Sequence, residues 1–399
     1  MNAPLIDKTG LADTGHALHV LPLLPAIAAQ AATADRTRSL DASMLAALRA
    51  NPVMRLSASK SLDGLDDSTW QIGHELRAVA SRCTSTAWCL WNHLCTWHHF
   101  VGLLGPAHTD FLRGIMTRRE WVCFPAGAST QITARTQDDA ALLTGVAAFG
   151  SGARYADWAG VVFVAEGSRA LSFSMADLRD PRARVEATWD AMSVRASATD
   201  HVHYADLPVP SSRVVPWAPR HRDALRDPSL EVIAPRYRED WVALSVLWLG
   251  AMATGVAAMS MSDVANSIRE RVAILGTRVA DRPTVHVNLG RAEALVNAAT
   301  DTVFAALNDT DARVAAGIAP READYFRQCL AGMQAVHLCD EAMRLLLRVL
   351  GGNGLREGTD FERRYRDFQA MPLHINGHID RLTEQAGRLL LGLDTQNPI

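Results

Sequence analysis

From Trp241 to Met261 the chain carries no charged side chain and is mostly apolar. A stretch of that length has to be covered on every side, either by lipid or by protein. It contains Gly250, Gly255 and several Ser and Thr, its flanking segments are amphipathic, and no second stretch of the kind follows. It therefore reads as a helix buried at the centre of a bundle or between copies of the chain, and not as a membrane span. The rest of the sequence must supply the apolar faces that cover it.

Helical spacing of apolar residues begins early. It runs from about Leu21 to Arg118, with residues recurring every three to four in Ser43 to Leu48 and from Gln71 through Phe100. From about Glu120 to Val215 the pattern changes to short alternating runs between turn residues, as in Ala141 to Phe149, Trp158 to Ala165, Ala170 to Met175 and His201 to Leu207. After the loop-like Pro216 to Pro228, helical spacing returns and predicts four long helices near Tyr237 to Leu275, Thr284 to Asn308, Glu322 to Leu350 and Thr359 to Leu391. The third should stop at Gly351-Gly352-Asn353-Gly354, where glycine admits left-handed backbone. The expected fold class is mainly α with a central β-domain, divided as residues 1–118, 119–229 and 230–399.

At 399 residues the chain can bury a large cofactor. A net charge of −3 gives no basic excess, which argues against a nucleic-acid partner. Cysteines at 83, 89, 95, 123, 329 and 339 form no C-x-x-C pair, and Met1 to Gly15 lacks a secretory pattern, so reduced thiols in a cytoplasmic protein are expected. No G-x-G-x-x-G follows a strand and no phosphate-binding loop occurs. Gly127-Ala128-Ser129-Thr130-Gln131 lacks the closing glycine of a nucleophile elbow. Nicotinamide chemistry would then belong to another protein. His374 and His378, His201 and His203, and His98 and His99 have no acidic partner or third ligand at metal-binding spacing, so no metal is expected.

The segment Leu143 to Trp158, with Gly150-Ser151-Gly152-Ala153-Arg154 at its centre, closely resembles the flavin-site strands of monooxygenases in the acyl-CoA dehydrogenase superfamily. That group includes p-hydroxyphenylacetate hydroxylase, dibenzothiophene monooxygenase and steroid-ring and indole-type hydroxylases. Ser85-Thr86-Ala87-Trp88 with His93, Trp189-Asp190-Ala191-Met192 leading to Asp206-Leu207-Pro208, and Arg366-Asp367 followed by His374 fit the same pattern in the same order. The resemblance implies an acyl-CoA dehydrogenase-like fold: an N-terminal helical domain, a β-barrel-like domain and a C-terminal four-helix bundle. It also implies a homotetramer, whose interface would account for the apolar helix.

Dehydrogenases of this superfamily carry a carboxylate base in a Tyr-Glu-Gly-Thr stretch after Arg-Asp. Here the stretch reads Leu373-His374-Ile375-Asn376-Gly377-His378, without the glutamate. Glu270, between Arg269 and Arg271, reads as a solvated helix residue. The resemblance therefore implies the oxygenase component of a two-component system. Reduced flavin (FMNH2 or FADH2), supplied by a flavin reductase, would react with O2 through a flavin C4a-hydroperoxide and hydroxylate an aromatic or heteroaromatic small molecule. An acyl-CoA dehydrogenase-like oxidoreductase, or oxygenation at nitrogen or sulfur, are the alternatives.

By the same resemblance Ser151 would meet flavin N5, and His93 and His374 would flank the peroxide and substrate. Ser129 and Gly152 would hold the flavin at its ring, Arg278 would reach toward the flavin phosphate, and Gly351, Gly352 and Gly354 would meet the flavin tail of a neighbouring subunit. Trp88 and Trp91 would wall the substrate. Taken singly, these residues fit plainer roles as well. Ser151 suits a turn beside Gly152, Ser129 a loop, the glycines a helix stop, and His93 a core imidazole bonded to a carbonyl among Trp88, Trp91 and Trp97.

Overall fold

The computed structural model describes residues 17–127, 131–217 and 225–395. Five helices come first: α1 (Leu24–Thr37), α2 (Ala42–Ala50), α3 (Thr69–Arg82), α4 (Thr84–Leu104) and α5 (Thr109–Thr117). The apolar run from Gln71 to Phe100 is carried by two helices, α3 and α4. Cys83 breaks it, extended at φ −150°, ψ 110°. Ser68 caps α3 by accepting from the Gln71 amide. Almost all of α4 is buried, Asn92 alone being partly exposed.

The strands follow: β1 (Val122–Cys123), β2 (Gln131–Gln137), β3 (Ala140–Gly150), β4 (Trp158–Ala165), β5 (Leu171–Asp177), β6 (Ala183–Glu186), β7 (Asp200–Pro210) and β8 (Val215–Pro216). They form one sheet in the order β6-β7-β3-β2-β4-β5-β8, with β1 beside β4. Among the described residues no pairing of β6 with β8 closes it into a barrel. One face packs on α4 and α5 through Trp158, Phe173 and Met175 against Phe100, Leu104 and Met116. The other buries Ile132, Val161, Phe163 and Val202. The long strand β3 loses register with β7 between Ala147 and Gly150, and Phe149 stands at φ +60°. That irregularity turns the strand end inward.

Helices then return as α6 (Trp241–Ile268), α7 (Pro283–Ala315), α8 (Glu322–Leu350), α9 (Asp360–Phe368) and α10 (Ile379–Leu390). The apolar helix α6, capped by Asp240 at the Val242 amide, is long and apolar enough to cross a membrane, yet every residue of its apolar window is buried inside the protein. Helices α3, α4, α7 and α8 of the same chain cover it. The apolar character of α6 therefore needs no neighbouring copy to explain it. Glycines let α8 come close: a Cβ on Gly332 would stand 2.3 Å from the Val246 carbonyl oxygen.

Helix α8 stops at Leu350, where Gly351 takes φ +61°. The expected fourth helix differs. It is broken into α9 and α10, because Pro372 has no amide hydrogen to continue the first and its ring disfavours a helical turn before it. The intervening residues 369–378 fold back against the bundle and carry His374 with them.

Candidate functional site

A cavity of about 520 Å³ opens where α4, the end of β3, the loop after Glu186, the start of α6 and the break between α9 and α10 meet. Its walls are aromatic. Trp88 and Trp91 stand on one face of α4, three residues apart, with ring centroids 5.1 Å from each other. Phe124, Phe149, Trp189 and Trp241 complete the apolar lining. No Asp, Glu, Lys or Arg is among the described residues that line it. At the mouth, Phe149, Met192, Leu373 and Ile375 are exposed.

Ser151 sits on this wall, buried, at the turn that β3 enters. Its Oγ accepts from Trp88 Nε1 at 3.0 Å and shares a hydrogen bond with Thr199 Oγ1 at 3.1 Å. Thr199 in turn pairs with Ser197 Oγ at 2.7 Å. Gly152 follows at φ +76°, a left-handed conformation that glycine takes without strain, and its amide donates to the Ser197 carbonyl at 2.8 Å. Three hydroxyls thus run in a chain behind the cavity, and the Ser151 proton can turn along it or toward a ligand.

His374 lines the same cavity and, like Ser151, adjoins Trp88. Its ring meets Trp91 and Trp88 edge-on, at centroid distances of 4.8 and 5.6 Å. Burial pushes its pKa down to about 4, so the imidazole is neutral near pH 7. Nδ1 accepts from the Asn376 amide at 3.3 Å, which leaves the ring proton on Nε2. Nε2 has no hydrogen-bond partner among the described residues, so it can donate to whatever fills the cavity. Asn376 is held by Ser245 Oγ at 3.0 Å, and Trp91 Nε1 donates to the Ser245 carbonyl at 2.8 Å. This network fixes the break between α9 and α10 to α6 and α4.

The loop carrying Trp189, Met192, Ser193 and Thr199 is tied down by Arg366 and Asp367. Asp367 Oδ1 accepts from the Val194 amide at 2.7 Å, and its carbonyl accepts from Ser193 Oγ at 3.0 Å. Arg366 donates to the Met192 carbonyl and to both carboxylate oxygens of Asp35. These bonds hold Val194 and Ala198 at φ +43° and +47°, backbone that a β-branched residue such as valine otherwise avoids. Burial raises the Asp367 carboxyl to about 7.

Of the residues expected from sequence, the structure gathers Ser151, His374, Trp88 and Trp91 at one cavity, with Gly152 directly behind. It does not bring His93 there. His93 is fully buried, with Nε2 bonded to the Met54 carbonyl at 2.9 Å and Nδ1 accepting from the Val122 amide at 3.1 Å. Both nitrogens are spent on main chain, joining α4 to the start of the sheet, and neither remains for a ligand.

Arg278, Gly351, Gly352 and Gly354 do not line the cavity either. They belong to a second locality, where Arg271 donates to the Leu350 carbonyl at 3.2 Å and Arg278 donates to that of Arg269. Ser129 lies outside the described residues. Asn92, Thr199, Trp241 and Asn376 line the cavity and were not singled out from sequence. Only Asn92 had a usable signal, four residues beyond Trp88 on the same helical face.

Comparison with known proteins supports this architecture. Residues 247–378 match the family described as acyl-CoA dehydrogenase, C-terminal domain. The solved structure of XiaF from a Streptomyces species, in complex with FADH2 and glycerol, superposes with a TM-score of 0.85 at 23% identity, over 95% of this chain and 96% of that one. The chain has the acyl-CoA dehydrogenase fold. Relatives extend over its whole length. A pigment production hydroxylase of a Rhodococcus species is 22% identical over 99% of both chains. A flavin-dependent monooxygenase, oxygenase subunit HsaA, of Rhodococcus jostii is 24% identical over 93% of this chain and 97% of its own.

Within this acyl-CoA dehydrogenase-fold chain the cavity suits the ring system of a flavin. Phe149, Met192, Leu373 and Ile375 expose apolar surface around an opening lined with flat aromatic groups, which a planar ring would cover. The buried hydroxyl of Ser151 offers one polar contact at the ring edge. Among the described residues no carboxylate that could serve as a dehydrogenase base lines the cavity.

Proposed function

We propose that this chain is the oxygenase component of a two-component flavin-dependent monooxygenase, acting in the cytoplasm on an aromatic or heteroaromatic small molecule. A separate flavin reductase would be its partner and a homotetramer its assembly. The observation that carries the reading is the wall itself: Ser151 and a neutral His374 line one cavity, each beside Trp88, and no carboxylate is among the described residues of the lining.

Bound reduced flavin would supply two electrons to O2, one oxygen atom passing to the substrate and the other leaving as water. Ser151, Gly152 and the loop Trp189 to Thr199 would hold the ring. The Ser151 hydroxyl, oriented by Trp88 Nε1 and Thr199, is placed to keep a proton at the ring edge. His374 Nε2 would donate its proton to the reacting oxygen, with the hydrogen bond at Nδ1 setting its tautomer. The aromatic walls exclude water, which otherwise diverts the oxidising equivalents to H2O2. Arg278 and the glycines after α8 are proposed to meet the flavin tail of a neighbouring copy.

The test is to mix protein holding anaerobically reduced FMN or FAD with aerated buffer and follow flavin absorbance and H2O2. Reoxidation at least about tenfold slower than free flavin, with H2O2 delayed, is expected. Ser151→Ala should release H2O2 faster. Reoxidation of the wild type at the free-flavin rate would overturn the reading.

A further inference from the structure

The face of α4 that lines the cavity runs from Trp88 to Thr96, about 12 Å of helix. What packs on that helix changes along it. Ser151 is held at Trp88, whose indole N–H it accepts, and the His374 ring meets Trp88 and Trp91. Further on, His99 stacks on Trp241 with ring centroids 4.5 Å apart and planes 22° from parallel. Trp88 and His99 are about 16 Å apart along the helix, so the cavity has a Ser151 end and a Trp241 end. Trp241 opens α6, and the residues before it are fixed. Asp240 accepts from the Val242 amide at 2.7 Å, Glu239 is held by Arg313 at 2.6 Å and Gln328 at 2.9 Å, and the Glu239 carbonyl accepts from His98 Nε2 at 2.9 Å. Phe124 meets the Trp241 ring edge-on, centroids 6.0 Å apart at 71°. With His99 over one face and Phe124 at the edge, the ring keeps part of its surface open, and it lines the cavity. The neighbouring polar side chains turn away from it: Cys95 and Thr96 both donate to the Asn92 carbonyl. This end offers its occupant a flat aromatic surface.

We propose that Trp241 is the substrate platform of this site: a planar aromatic ring system as broad as indole lies on the indole face opposite His99, with Phe124 at its edge, while the flavin ring keeps to the Ser151 end. The inference rests on the oxygenase reading above and locates its substrate. Flat rings gain from offset or edge-on contact with an indole beyond the area they bury, and a puckered saturated ring of the same size does not. Trp88 and Trp91 are committed elsewhere. The first orients Ser151, the second donates to the Ser245 carbonyl, and both pack on His374. Trp241 makes its ring contacts with His99 and Phe124 on its covered sides and has a surface left for a ligand. Its rigid mounting at the head of α6 means that little order has to be imposed when a ring settles on it.

The test is calorimetric titration of the full-length protein near neutral pH with 2-naphthol and its saturated counterpart 2-decalol, first flavin-free and then with saturating FMN or FAD. The wild type should bind 2-naphthol at least about fivefold more tightly than 2-decalol. Flavin should change the 2-naphthol affinity by less than about threefold, because the two ligands take different ends. Trp241→Leu keeps an apolar side chain and loses the ring, and should bring the preference to about twofold or less. Trp241→Phe keeps a ring and should retain most of it. A merely disturbed fold would weaken both ligands alike and leave their ratio standing. A preference that survives in Trp241→Leu overturns the proposal, as does its absence from the wild type, or displacement of 2-naphthol by flavin. Reoxidation of bound reduced flavin is followed in the same proteins. Its failure to slow in the wild type would sink the oxygenase reading, whereas the binding ratios alone decide the role of Trp241.

Discussion

His93 and His374 are the same residue type, one fully buried and the other partly buried on the cavity wall, both pushed down to about 4 by burial, yet they do different work. His93 spends both nitrogens on main chain and His374 spends one. Replacing His93 by Ala breaks two buried hydrogen bonds and should cost about 2–4 kcal/mol of stability, read from denaturant midpoints. The fraction that remains folded should keep near-normal turnover. Replacing His374 by Gln should lower hydroxylation roughly a hundredfold or more. It should also change how stability follows pH. A histidine at about 4 when folded and 6.5 when unfolded binds its proton more readily in the unfolded chain, so its contribution is present above 6.5 and is lost as pH falls toward 4. At ~1.4 kcal/mol per unit the full loss is on the order of 3 kcal/mol. Melting temperatures of wild type and His374→Gln taken from about pH 7.5 down to about pH 5 should therefore converge or cross, the variant gaining relative to wild type in acid. A constant difference across that range would show that His374 is not held neutral.

At the scale of elements, periodicity carried most of the fold. The β4 strand from Trp158 to Ala165 and the α8 helix from Glu322 to Leu350 fall where the spacing puts them, because each has one consistent environment along its length. The misread element is the fourth long helix expected from Thr359 to Leu391, and both breaks fall where a single residue overrides a continuous pattern. Cys83 divides α3 from α4, and Pro372 separates α9 from α10. The second break matters for function, since it is what sets His374 against Trp88 and Trp91. Ser151, Trp88 and Trp91 were legible in local motifs. Thr199, Trp241 and Asn376 were not, because only the folded chain brings the ends of β7, α6 and the 369–378 segment to one place. Packing of α6 on α8 gives the test at this scale. Gly332→Ala places a methyl 2.3 Å from the Val246 carbonyl oxygen, backbone that cannot swing aside. A loss of about 1–3 kcal/mol is expected, seen as a lower thermal midpoint with an unchanged fold by circular dichroism.

At the scale of the whole molecule, the residues assigned to flavin fall into two localities. Ser151 and its neighbours line the cavity, while Arg278, Gly351, Gly352 and Gly354 line none of it; the glycines follow the end of α8, which Arg271 ties to the segment that carries Arg278. If the second locality serves a flavin, it serves one bound by another copy, and the proposed tetramer is then part of the binding site. Gly352 separates this from a purely local role. It is exposed, and a Cβ there would meet nothing within 4 Å. Gly352→Glu should therefore leave the thermal midpoint of the flavin-free chain unchanged. A flavin phosphate or adenine approaching that backbone from a neighbouring copy would meet both the side chain and its charge, so reduced-flavin affinity should fall about tenfold or more. The affinity of the wild type should also weaken on dilution through the range where the assembly dissociates, because the tail contacts are lost with the partner. Flavin binding that ignores both the substitution and the dilution would mean that each chain holds its flavin alone, and that the glycines after α8 serve only to end the helix.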